Sequence, residues 1–129
     1  MVKAVTNFGR SGLSDWLVQR VTAVVLLAYA LCIGSVLICT PDLGYEAWKA
    51  TFESTSMKVF SLAAIFSLAA HAWIGMWAVS TDYLIERVLR IKTNDFLASK
   101  ANLLRWIFQA VCAVVIFYYV VWAVQILWG

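Results

Sequence analysis

Three long apolar stretches, separated by polar ones, set the pattern of the chain. They run over residues 21–39, 59–80 and 106–128, and His71 is the only His, Asp, Glu, Lys or Arg inside them. A helix of about 20 apolar residues crosses the ~30 Å hydrocarbon core of a bilayer, where backbone groups must pair internally. The pattern therefore predicts an all-α integral membrane protein with three transmembrane helices. We place these helices at about residues 17–39, 58–81 and 104–128.

The polar stretches between the spans are too short to form an extramembrane domain, so we predict a single membrane-anchor domain over residues 1–129. In the first of them, Tyr45, Trp48 and Phe52 recur at helical spacing, which predicts a short interfacial helix at about 43–54. Any centre that carries out catalysis on a soluble substrate must then belong to another chain.

Composition supports this assignment. Hydrophobic residues make up 64% of the chain and charged residues 13%, whereas soluble domains are roughly 45–50% apolar and about 25% charged. A small soluble enzyme and a basic nucleic-acid binder are excluded, and the bilayer is the expected surrounding.

The distribution of Lys and Arg predicts the orientation, because cytoplasmic flanks carry the excess of these residues. The first loop carries Lys49 and Lys58 only. The remaining basic residues lie in the N-terminal flank and in the second loop with its flanks: Lys3, Arg10, Arg20, Arg87, Arg90, Lys92, Lys100 and Arg105. We therefore expect a cytoplasmic N-terminus and a periplasmic C-terminus, with the net charge of +3 reflecting topology.

His71 is the only histidine of the chain, and an ionisable residue inside a span marks a functional site by default. Helical spacing places it on a stripe with small residues and one acid: Ala64, Ser67, Gly75, Ala78 and Asp82. Such a stripe lets two helices pack closely, with His71 hydrogen-bonded to the neighbour, or it leaves room for a flat cofactor with His71 as an axial iron ligand. The pattern leaves both interpretations open. Because a low-spin haem takes two axial ligands, a bound haem would need a second ligand from a partner chain.

Three further polar residues lie near the predicted cytoplasmic ends of the spans. Arg20 requires an anionic partner such as a haem propionate, or it extends to the lipid headgroups. Tyr83 is an aromatic residue of the interface, or a phenol that donates a hydrogen bond to a quinone carbonyl beside Asp82 as a proton-handling acid.

Several motifs resemble one family, the hydrophobic membrane-anchor subunits of bacterial succinate dehydrogenase, a succinate:quinone oxidoreductase. The strongest is the block His71–Trp77 followed by Thr81–Tyr83. Weaker resemblances lie at Gly9–Gly12, Asp15, Arg20–Ala23, Tyr45–Trp48 and Lys58–Phe60. The resemblance departs after Tyr83, where Leu84-Ile85-Glu86 opens a longer connection to the third helix.

The resemblance implies a specific assembly. A three-helix chain of this kind forms half of a heterodimeric six-helix anchor with a second membrane-anchor chain of the cytochrome b type, and the pair holds an iron–sulfur protein and a flavoprotein. It further implies that His71 is an axial ligand of haem b, that Arg20 contacts the haem propionates, that Tyr83 donates to ubiquinone, and that Asp82 lies at the edge of the quinone site.

The expected function is therefore electron transfer from succinate to quinone in the respiratory chain and tricarboxylic acid cycle, in the bacterial inner membrane. Haem b would be shared with the partner subunit, and ubiquinone would be the substrate. The alternative is a non-catalytic assembly subunit of another respiratory complex, in which His71 packs against a helix and no haem binds.

Overall fold

The computed structural model describes residues 12–92 and 95–129, and all regular secondary structure within them is α-helical. The six helices are α1 (Gly12–Cys39), α2 (Tyr45–Glu53), α3 (Thr55–Tyr83), α4 (Glu86–Lys92), α5 (Asp95–Ser99) and α6 (Ala101–Trp128). The basic residues Lys3 and Arg10, and the motif positions before Gly12, lie outside the described residues.

The prediction of three membrane-spanning helices is confirmed by α1, α3 and α6, which have 28, 29 and 28 residues and are apolar enough to cross a membrane. Each begins earlier than the apolar run alone indicates. The largest difference is in α1, which already includes Gly12 although we predicted a start near residue 17. Asp15 lies in its first turn, where a carboxylate interacts favourably with the helix dipole, and no proline interrupts the chain there.

Helix α3 packs against both α1 and α6. The residues buried at these interfaces are mostly small or polar, and they include Thr22, Ser61, Ala64, Ser80 and Gln109. Most large apolar side chains of the spans are exposed. Both features are typical of membrane helices, since lipid supplies no hydrophobic drive for association and close backbone packing and interhelical hydrogen bonds replace it.

The connections between the spans contain the shorter helices. Helix α2 lies where we predicted a helix at about 43–54, and Ser54 caps the following helix α3 by accepting a hydrogen bond from the Met57 backbone N–H at 3.3 Å. Helices α4 and α5 form most of the second connection, where Arg90 Nε lies 3.6 Å from Asp95 Oδ1. Both side chains are largely exposed, so this ion pair contributes little stability.

Candidate functional site

An open cavity of about 360 Å³ lies between α1 and α3. It contains both His71 and Arg20, which are far apart in sequence. Its other lining residues are Asp15, Trp16, Gln19, Ala23, Ile74 and Ala78. One imidazole and one guanidinium therefore face a common space whose remaining walls are mainly apolar or small.

His71 is half-buried, and its Nδ1 lies 3.1 Å from the hydroxyl oxygen of Thr22 on α1. The Thr22 hydroxyl also lies 2.6 Å from the Val18 carbonyl oxygen, a distance at which it donates its proton to that carbonyl. The Thr22 oxygen is then an acceptor toward the ring, so Nδ1 carries the proton. Within the described part of the chain Nε2 has no hydrogen-bond partner, and it carries the free lone pair.

This hydrogen bond bears directly on the two interpretations of His71. The interhelical hydrogen bond that packing would require is present between α3 and α1. It uses only one ring nitrogen, however, and leaves the other free for an iron ligand bond. The two roles are therefore compatible in one side chain.

Arg20 is exposed, and its guanidinium carbon lies 5.5 Å from the centre of the Trp16 ring. A cation over an aromatic face at this distance is attracted by the ring quadrupole, so Trp16 helps to hold the guanidinium beside the cavity. Asp15 is a second charged residue that lines the same cavity.

Gln19 is a further polar side chain in the lining of this cavity. Its Oε1 atom is buried and has no hydrogen-bond partner in the described residues. An unsatisfied buried acceptor costs about 1–3 kcal/mol. Its amide nitrogen lies against α3, at 3.7 Å from the position that a Cβ atom on Gly75 would occupy.

Asp82 and Tyr83 do not line this cavity. They lie at the end of α3, one turn beyond Ala78, and both are exposed; Tyr83 retains 59% of its accessible surface. At 1.5 Å per residue, Asp82 is about 16 Å along the helix from His71. Both side chains are therefore accessible to a ligand or to another chain.

A buried hydrogen bond fixes the end of α3 that carries this pair. Gln109 Nε2 on α6 donates to Ser80 Oγ at 2.8 Å, and Ser80 in turn donates to the Trp77 carbonyl at 2.8 Å. Ser80 is fully buried. Since Ser80 precedes Asp82 by two residues, this bond ties the approach to Asp82 and Tyr83 to α6.

Replacing Ser80 with alanine removes the acceptor of the Gln109 amide. Interhelical hydrogen bonds in membranes contribute ~0.6 kcal/mol on average and up to ~1.7 kcal/mol, so we expect the free energy of unfolding to fall by about 1 kcal/mol. Thermal denaturation of the purified protein in mild detergent measures this change. The double variant Ser80→Ala/Gln109→Leu should recover part of the loss, because no polar group is left unpaired; a single variant as stable as wild type would contradict the assignment.

Metal ligands are sparse in this chain. Within residues 12–92 and 95–129 no three His, Cys, Asp or Glu side chains are grouped as a metal site, and Cys32, Cys39 and Cys112 are free. A larger groove of about 720 Å³ is lined by residues of α1, α2, α3 and α6, among them Tyr29, Lys58 and Trp128, but it contains no imidazole. Among the imidazole, thiol and thioether side chains of the described residues, His71 is the one that lines the cavity between α1 and α3.

Sequence reasoning missed two participants in the site. Thr22 and Gln19 were part of the first span and its flank, and neither carries a charge that would single it out. Their proximity to His71 and Gly75 depends on how α1 is rotated against α3, which the periodicity of either helix alone does not specify. The one available signal was that Thr22 is a polar residue within an otherwise apolar span.

Comparison with known proteins agrees with this architecture. Residues 4–98 match the family described as the succinate dehydrogenase/fumarate reductase transmembrane subunit. A curated relative from Coxiella burnetii (strain RSA 493 / Nine Mile phase I) is the succinate dehydrogenase hydrophobic membrane anchor subunit. It is 35% identical over 124 residues, which cover 96% of this chain and 95% of the relative.

Proposed function

The chain belongs to the succinate dehydrogenase/fumarate reductase transmembrane subunit family, and from this premise we propose that it binds haem b together with a second anchor subunit and forms part of a ubiquinone reduction site. It is a multi-pass membrane anchor subunit of succinate dehydrogenase/fumarate reductase. The proposed partners are a cytochrome b-type anchor subunit, an iron–sulfur subunit and a flavoprotein subunit. The proposed location is the bacterial inner membrane.

The observation that carries the proposal is the shared cavity of His71 and Arg20. A neutral imidazole with Nδ1 protonated and Nε2 free is the form that ligates iron, and the contact with Thr22 favours that form. A guanidinium binds carboxylates such as haem propionates through charge-assisted hydrogen bonds. The donor set of the cavity thus fits one axial ligand and one propionate contact.

The cavity is open on one side, and this chain offers a single imidazole. The second anchor subunit is therefore proposed to supply the other axial ligand and to close the cavity. Bound haem would supply a one-electron redox centre whose potential is tuned by its axial ligands and their hydrogen bonds. His71 would hold the iron from α3, and Arg20 would neutralise propionate charge near the end of the span.

The quinone site is proposed at Asp82 and Tyr83. Reduction of ubiquinone requires two electrons and two protons, so such a site needs a hydrogen-bond donor at a quinone carbonyl and a path for protons from water. The Tyr83 hydroxyl can donate, and the exposed Asp82 carboxylate can accept and release protons. Their exposure in this chain leaves room for quinone and for the iron–sulfur subunit.

A second candidate function is a non-catalytic anchor without haem, and the Thr22–His71 contact favours it to the extent that His71 already has a structural partner. Affinity purification in mild detergent, followed by identification of the co-purifying chains and an optical spectrum, distinguishes the two functions. The proposal expects flavoprotein, iron–sulfur and second anchor subunits together with the bands of low-spin haem. A complex that contains these subunits but shows no haem bands would support the second function instead.

The orientation proposed for this anchor places the N-terminus and the α3–α6 connection in the cytoplasm. In the sequence this connection and its flanks carry Arg87, Arg90, Lys92, Lys100 and Arg105, whereas the α1–α3 connection and its flank carry Lys49 and Lys58. This difference favours a cytoplasmic location of the connection and would bring Asp82 and Tyr83 to the cytoplasmic surface.

Fusions to alkaline phosphatase test this orientation, because the enzyme is active only when it is exported. Fusion after Gly129 should give an active enzyme, and fusion between Lys92 and Lys100 an inactive one at equal expression. The reverse pattern would contradict the orientation and the cytoplasmic placement of the quinone site.

A further inference from the structure

We propose that Thr22 is a positioning residue for haem ligation, in which its hydroxyl fixes the tautomer and the ring orientation of His71. This inference rests on the proposed haem function. It assigns a role to a residue of α1 that contacts no iron and acts only through the imidazole on α3.

The hydrogen-bond directions follow from the number of protons available. The Thr22 hydroxyl has one proton, and the 2.6 Å distance to the Val18 carbonyl oxygen directs it there; the Gln19 carbonyl lies farther away, at 3.2 Å. At 3.1 Å from Nδ1 the same oxygen can then only accept. The other tautomer would require the hydroxyl to turn away from its shorter contact.

The burial of Thr22 restricts its hydroxyl to these hydrogen-bond partners. Thr22 is 7% exposed and is the one buried residue of α1, so water does not compete for its hydroxyl. Buried polar atoms are hydrogen-bonded in native structures, and the ring nitrogen is the polar side-chain atom that the oxygen meets on α3. The contact also links the ring to α1, so the orientation of the imidazole depends on the packing of the two spans.

A hydrogen bond from the second ring nitrogen of a metal-bound histidine fixes its orientation and raises its basicity, and loss of the acceptor typically lowers metal affinity or activity by 10–100-fold. A more basic imidazole stabilises the ferric more than the ferrous form. Removal of the Thr22 hydroxyl should therefore destabilise the ferric form and raise the midpoint potential of the haem.

Three variants of the assembled complex test the proposal. Thr22→Val keeps the shape of the side chain and removes its hydroxyl, whereas Thr22→Ser keeps the hydroxyl. Ser61→Ala is the matched control, because it breaks another buried contact between the same two helices, the 2.8 Å hydrogen bond between Tyr29 and Ser61, without touching His71. The measurements are the haem midpoint potential and the low-spin EPR signal of the ferric complex.

For Thr22→Val we expect the affinity of the site for ferric haem, relative to ferrous haem, to fall by up to about tenfold. This change is equivalent to a rise of up to about 59 mV in the one-electron midpoint potential, and the low-spin g-values should change with it. Thr22→Ser and Ser61→Ala should retain wild-type values. If Thr22→Val prevents assembly, Thr22→Ala provides the same comparison by removing atoms only.

An unchanged potential and EPR signal in haem-loaded Thr22→Val would overturn the inference, as would an equal shift in Ser61→Ala, which would reveal a general packing effect. Neither result would affect the proposed haem function. A wild-type complex without haem would contradict the proposed haem function, and the role of Thr22 would then be contradicted as well.

Discussion

Replacing His71 with alanine is expected to abolish the low-spin haem signature of the assembled complex. The variant removes the one imidazole that the chain offers, so the iron of the proposed haem would retain at most the partner's ligand and become high-spin, or the haem would be lost. Alanine is the most favourable residue in a helix, and His71 is only half-buried, so α3 should still insert and the subunits should still assemble. Optical and EPR spectra of the purified complex, normalised to protein, measure the change.

Met76→Ala is the matched control for this experiment. Met76 is the next potential iron ligand along α3 and is 40% exposed, but it does not line the cavity with His71 and Arg20. We expect its substitution to leave the low-spin spectrum intact. A His71→Ala complex with an unchanged low-spin spectrum would contradict the ligand assignment, as would loss of that spectrum in Met76→Ala alone.

Replacing Tyr83 with phenylalanine is expected to slow quinone reduction by several-fold to about a hundredfold. The substitution keeps the aromatic ring and removes the proposed donor. A net hydrogen bond contributes about 0.5–1.5 kcal/mol, and the penalty is larger when a buried partner is left unsatisfied; about 1.4 kcal/mol corresponds to a tenfold change in rate. The measurement is succinate-driven ubiquinone reduction by the purified complex.

The control measurements localise this effect. Haem content should stay at the wild-type level, and reduction of a soluble dye that takes electrons upstream of quinone should also persist. Tyr45→Phe is the matched substitution, since Tyr45 is an exposed tyrosine on α2, far along the chain from the proposed site. If Tyr83→Phe reduces quinone at the wild-type rate, Tyr83 is an aromatic residue of the membrane interface and does not donate a hydrogen bond to quinone.

The membrane architecture could be predicted from the sequence because the hydrocarbon thickness sets the length of an apolar helix. The stripe around His71 was also interpretable, since helical periodicity places His71, Gly75 and Ala78 on one face. In the structure this face meets α1, where Gln19 lies against Gly75 and Thr22 contacts His71.

The details between helices could not be predicted in the same way. The pairing of Thr22 with His71, and of Gln109 with Ser80, depends on the rotation and the axial offset of neighbouring helices, and many such arrangements satisfy the same apolar pattern. The presence of Gly12 in α1 could not be predicted for a different reason, because the polar residues before the apolar run are compatible with a helix or a loop. The proposed quinone site at Asp82 and Tyr83 would include surfaces of other chains, which this sequence does not contain.

The haem content of the wild-type complex tests the proposed haem function. The complex is purified through a tag on this chain in mild detergent, and its haem b is quantified from the reduced-minus-oxidised spectrum against the amount of this chain. We expect one low-spin haem b for each copy of this chain paired with the second anchor subunit. A complex that contains all its subunits and oxidises succinate but holds no haem would contradict it.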